Sequence, residues 1–162
     1  MVFSRNWLKM IFTHVPIVTM SACIFAGCGS QSRNSPYSDY ELNAASFDAA
    51  HLKLVETNTG IVLPSDSKGQ NLLWRGRQLD PSLLAKILIT TNSVGSFRKQ
   101  VERLPNQKID ASAPATSGLT WWQSSKGSVA VERTYIWTGC YVHLIVCQEN
   151  KSWFLYVEWV SV

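Results

Sequence analysis

The C-terminal stretch "SVAVERTYIWTGCYVHLIVCQENKSWFLYVEWV" constrains the fold more than any other part of the chain. Three runs rich in Val, Ile, Tyr, Phe and Trp are separated by Thr138-Gly139 and by Glu149-Asn150-Lys151. Runs this short and this rich in β-branched and aromatic residues favour strands over helices. Connections this brief join antiparallel neighbours, so the three runs predict a meander. With Asn150-Lys151 as a two-residue turn, Val142, Leu144 and Val146 lie opposite Trp159, Val157 and Leu155, an apolar face fit to receive a helix. The same register places His143 opposite Glu158 on the other face, among Tyr141, Ile145, Phe154 and Tyr156.

Upstream, the pattern adds helices and further strands. Residues 40–57, "YELNAASFDAAHLKLVET", combine Ala, Leu and Glu in a loose apolar stripe that predicts a helix stopped by Asn58-Thr59-Gly60. Asn71 to Arg77 predicts a short strand, Asp80-Pro81 a turn, and "SLLAKILIT" a buried strand. Val94, Phe97, Val101 and Leu104 then recur at helical spacing after Thr91, Asn92 or Ser93 as cap, and Pro105 ends that helix. Residues 106–118 are small and polar, as in a loop. The expected fold class is α+β. An antiparallel sheet of about five strands ends in the three-stranded meander and carries one or two packed helices.

The N-terminus has a different grammar. Arg5 and Lys9 form a positive start, and residues 10–27 contain no Asp, Glu, Lys or Arg. That is the layout of a secretory signal, and Pro16 and His14 near its middle argue against a membrane-spanning helix. Phe25-Ala26-Gly27-Cys28 resembles the lipobox of bacterial lipoprotein signal peptides, in which small residues precede a cysteine that is lipidated and becomes the first residue. Phe25 departs from the usual Leu of that motif, and Cys23 lies in a poorer second match. The resemblance implies a signal peptide over 1–27, lipidation at Cys28, a flexible tether over 28–38 and a single domain over 39–162. Its implied setting is the cell envelope, with the membrane as partner through the N-terminal lipid. Gly29, in place of the Asp that favours inner-membrane retention in enterobacterial lipoproteins, implies the outer membrane facing the periplasm in a Gram-negative host.

Thr59-Gly60-Ile61-Val62-Leu63-Pro64, together with Asp80 and Trp121-Trp122, is similar to a pattern found in small uncharacterised bacterial envelope proteins. In that group a helix ends in T-G-[IL]-x-L-P, and a strand, an Asp-containing turn, a second strand and a helix follow. The similarity implies architecture and carries no activity to any residue.

Removing Arg5 and Lys9 leaves 13 basic against 11 acidic residues, a net charge of +2. A charge that small and scattered is no footprint for nucleic acid. With three His in all, one of them in the leader, a His-rich metal site is not expected, and no cofactor motif is present. Cys140 and Cys147 on one strand would stand roughly 23 Å apart, beyond the ~7 Å reach of a disulfide. His143 with Glu158 could act as base and orienting carboxylate, yet such a pair is more often a cross-strand contact. No catalytic residue is therefore assigned. Trp121 and Trp122 are adjacent; on an extended segment they would point to opposite sides, which takes one ring into the core and lets the other mark a binding surface if exposed, while core packing of both is the favoured reading.

Two functional readings follow. The first is a membrane-anchored, non-catalytic binding domain of the bacterial envelope, with Trp121, Trp122, His143 and Glu158 as its candidate interaction residues and an envelope protein as partner. The alternative is an envelope hydrolase working through His143 and Glu158.

Overall fold

The computed structural model describes residues 37–109, 116 and 118–161. The leader, Cys28 and most of the tether lie outside the described residues, as does the middle of the polar loop. The elements are β1 (Tyr40–Asn43), α1 (Ala49–Thr59), β2 (Lys68–Arg75), β3 (Ser82–Ile89), α2 (Thr91–Glu102), a short 3-10 turn (Ser124–Lys126), β4 (Ser128–Trp137), β5 (Cys140–Glu149) and β6 (Ser152–Val160). They form the expected α+β fold, with one sheet of six antiparallel strands in the order β1-β2-β3-β6-β5-β4. The sixth strand comes from residues that the sequence pattern assigns to a helix. Tyr40–Asn43 pairs with Asn71–Trp74, and Asp48 is the true N-cap of α1, accepting from the amides of Ala50 and His51.

Both hairpins of the meander close through two left-handed residues, Thr138 and Gly139 (φ 49° and 83°) and Asn150 and Lys151 (φ 47° and 69°). Turns of this hand match the twist of the flanking strands and fix their register. His143 therefore pairs with Glu158, and Val142, Leu144 and Val146 with Trp159, Val157 and Leu155, as the sequence register requires. Cys140 and Cys147 stand at opposite ends of β5 and are both free thiols.

Alternation divides the sheet into two faces. One carries Leu72, Trp74, Leu83, Ala85, Ile87, Val142, Leu144, Val146, Leu155 and Val157, all buried in a single core with Val55 of α1 and Val94, Phe97 and Val101 of α2. Across it Trp74 and Trp159 stack at 5.7 Å over the intervening β3. Phe47 lies directly over Gly69, where a Cβ would come within 2.2 Å of the ring. Only glycine admits that approach, and the strand bulges immediately after it.

α1 ends over the opposite edge of the sheet, on the same face, against β4. The Thr59 carbonyl accepts a 2.7 Å hydrogen bond from the Tyr135 hydroxyl of β4, and Gly60 closes the helix at φ 73°. In the following segment Ile61 and Leu63 are buried while Val62 is 67% exposed, so the segment alternates as an extended chain laid on the core. Thr90 rather than Thr91, Asn92 or Ser93 caps α2, and its side chain makes no cap bond to the helix. Instead Asp66 accepts from the Thr90 and Ser93 hydroxyls and ties the loop before β2 to the helix start.

Trp137 packs against Gly60, where a Cβ would lie 2.4 Å from the indole. Gly60→Ala therefore combines left-handed strain of about 1–2 kcal/mol with an overpacking cost of about 1–3 kcal/mol. Chemical denaturation should show the sum in the wild-type background and only the strain in a Trp137→Ala background. Equal losses in both would remove the steric account.

Candidate functional site

The outer face of the sheet, opposite the helices, gathers the polar and aromatic side chains singled out above. His143 is flanked on both sides. Its Nδ1 lies 2.9 Å from Oε2 of Glu158, and its Nε2 lies 2.8 Å from Oε1 of Glu132. Carboxylates only accept, so both contacts are hydrogen bonds when the ring carries both protons. Burial pulls the imidazole toward the neutral form. The bonds and charges of Glu158 and Glu132 outweigh that, and the net effect raises His143 above its ordinary value. The Glu158 side chain is 8% exposed and that of Glu132 56%, so one partner is interior and the other faces water.

Glu132 was not legible as a partner from the β5–β6 register alone. Applying the same turn arithmetic to Thr138-Gly139 pairs Thr134 with His143 and sets Glu132 one pleat along the same face. Thr134, the direct cross-strand neighbour, engages Tyr141 with its side chain.

A second cluster lies between β3, β6 and the β5–β6 turn. Lys86 and Glu149 form a 2.8 Å ion pair, each side chain 13% exposed. The Lys86 ammonium lies 4.3 Å from the centre of the Phe154 ring and 5.0 Å from that of Tyr156. Tyr156 donates its hydroxyl to Glu149, and burial followed by that carboxylate pushes its ionisation upward. Cys147, fully buried beside them, is pushed up to about 12 by burial and then by Glu149. A thiol held protonated in this way is a poor nucleophile.

The tryptophan segment covers this cluster. Trp122 sits edge-on to Tyr156 at 5.0 Å, and Trp121 stands edge-on to Trp122 at 5.8 Å. The Trp121 indole N–H donates to Glu41 of β1 at 2.8 Å. Neither ring enters the helix-facing core, contrary to the favoured expectation that both pack there and to the expectation that an extended segment turns one inward. The two residues lie in a turn closed by the Trp122 amide on the Leu119 carbonyl, so strand alternation does not govern them. Both rings are half-buried on the outer face.

The structure thus collects Trp121, Trp122, His143 and Glu158 on one face and adds Glu132, Lys86, Glu149 and Tyr156 to them. Lys86, Trp121, Gln123, Glu149, Ser152 and Phe154 line an open cleft of about 310 Å³ there. Among the described residues no group of three or more His, Cys, Asp and Glu side chains is arranged to hold a metal ion. No protein-family model, curated protein or solved structure matches the chain.

Folding raises the proton affinity of His143, so its contribution to stability is complete below about 6.5, the ordinary value of a free histidine, and fades as pH rises through the higher folded value. The stability gap between wild type and His143→Gln should be wider near pH 5.5 than near pH 8.5 in urea titrations. A gap independent of pH would mean that the ring is not an imidazolium shared by two carboxylates.

Proposed function

We propose that the protein is a lipid-anchored, non-catalytic binding domain of the bacterial cell envelope. Cys28 carries the anchor, and the outer face of the sheet makes the contact with another envelope component. The single observation that carries the binding half of this reading is the placement of Trp121, Trp122, His143 and Glu158 on one face, held by neighbours rather than left free to react. Both nitrogens of His143 face carboxylates, and the Trp121 N–H is spent on Glu41. Fixed side chains on a rigid sheet suit recognition, because little rotamer freedom remains to be lost on contact.

Geometry gives the hydrolase alternative less support. A general base needs a ring nitrogen within reach of the proton that it takes, and here both are engaged. Cys147, the β5 thiol on the same face as His143, is held protonated.

The anchor rests on the resemblance of Phe25-Ala26-Gly27-Cys28 to a lipobox and on the polar tract that follows it. Several acyl chains at about 0.8 kcal/mol per buried methylene hold a protein stably at a bilayer. In a Gram-negative host, Gly29 favours the outer membrane, with the domain in the periplasm. Metabolic labelling with a clickable fatty acid should tag the wild-type chain and leave Cys28→Ala untagged. Label on neither chain would overturn the anchor, and equal label on both would place it elsewhere.

A further inference from the structure

The cleft beneath Trp121 has a chemistry that narrows its occupant. Its volume of about 310 Å³ lies at the lower end of the range for small-molecule sites, roughly 300–1,000 Å³. Trp121 and Phe154 supply aromatic surface, while Gln123 and Ser152 supply neutral donors and acceptors. Lys86 and Glu149 contribute an ion pair that is already closed at 2.8 Å. An anion would meet a lysine whose charge is matched by Glu149, and a cation the reverse. A purely apolar ligand would strip water from that pair and return no hydrogen bonds. An extended peptide seeks free backbone groups at a sheet edge, whereas β3, β6 and β5 beneath the cleft are paired on both sides.

A neutral, polyhydroxylated ring avoids all four of these penalties. The C–H bonds on one side of a pyranose carry partial positive charge and favour the negative face of an indole, while its hydroxyls suit mixed amide, hydroxyl and charged partners. Trp121 is preorganised for such a role. Its N–H is held by Glu41 at 2.8 Å and its neighbour Trp122 abuts Tyr156, so the indole is fixed before a ligand arrives. We infer that the cleft formed by Trp121, Phe154, Lys86, Glu149, Gln123 and Ser152 is a binding site for a neutral saccharide. This rests on the reading of the outer face as a contact surface and names the chemical class that the surface takes.

The test uses the full chain purified in a zwitterionic detergent without a sugar headgroup. Isothermal titration with N,N′-diacetylchitobiose, cellobiose and maltose should give saturable binding to at least one of the three. Trp121→Ala should weaken that binding at least about tenfold, and Ser152→Ala, which leaves the aromatic platform intact, about threefold, corresponding to about 1.4 and 0.7 kcal/mol. Absence of saturable heat with all three disaccharides overturns the saccharide assignment, and so does binding that both variants leave unchanged. In-cell crosslinking separates this failure from that of the contact surface. If the disaccharides fail but Trp121→Ala abolishes a protein crosslink made by the wild type, the face binds protein and the saccharide assignment alone falls. If neither sugar nor crosslink depends on Trp121, both readings fall.

Discussion

The two left-handed turns of the meander are the constraint on which the rest of the structure depends. Thr138-Gly139 and Asn150-Lys151 leave no spare residue between strands, so β5 and β6 keep one register throughout and β4 keeps one against β5 from Val131 to Trp137, shifting only at a bulge between Val129 and Val131. A slip of one residue would turn every side chain to the opposite face. Val142, Leu144 and Val146 would then meet solvent, and His143 with Glu158 would be driven under the helices. The register therefore sets the core and the outer face together. Lys151 adopts φ 69° without being glycine, a local strain that the pairing on either side has to hold.

The second organising contact joins the two ends of the sheet. α1 starts beside β1, where His51 stands edge-on to Tyr40, and it ends against β4, where Tyr135 caps the Thr59 carbonyl. The helix thus bridges strands that are five positions apart in the sheet order. That bridge gives a physical account of Thr59-Gly60-Ile61-Val62-Leu63: a buried helix end, a left-handed closure that also admits Trp137, two inward apolar residues and an outward one between them.

Edges and faces are treated differently. The outer strand β4 is partly covered near its middle, where Gln107 donates to the Thr134 carbonyl and Asn106 accepts from the Thr134 amide. Arg133 reaches the Glu102 carbonyl at the end of α2 and fastens the same region. Covering an edge in this way discourages association by strand addition. The outer face, by contrast, keeps charged and aromatic groups in fixed positions around an open cleft.

Sequence alone determined the parts governed by local rules. Period-two alternation and two-residue turns marked the meander, its register and the pairing of His143 with Glu158, and spacing along one strand kept Cys140 and Cys147 apart. The class of fold followed from the same patterns, whereas Tyr40–Asn43 was hidden, because a four-residue edge strand carries too few alternations to compete with a run of helix-forming residues. Tertiary structure decided what depends on distant segments meeting. It placed Glu132 on the free side of His143, brought Glu41 to the Trp121 indole across the sheet, and set Trp121 and Trp122 on the outer face through a turn that no periodicity encodes. Local backbone preferences are written in neighbouring residues, but a partner separated by 80 positions is chosen by the packing of the whole sheet.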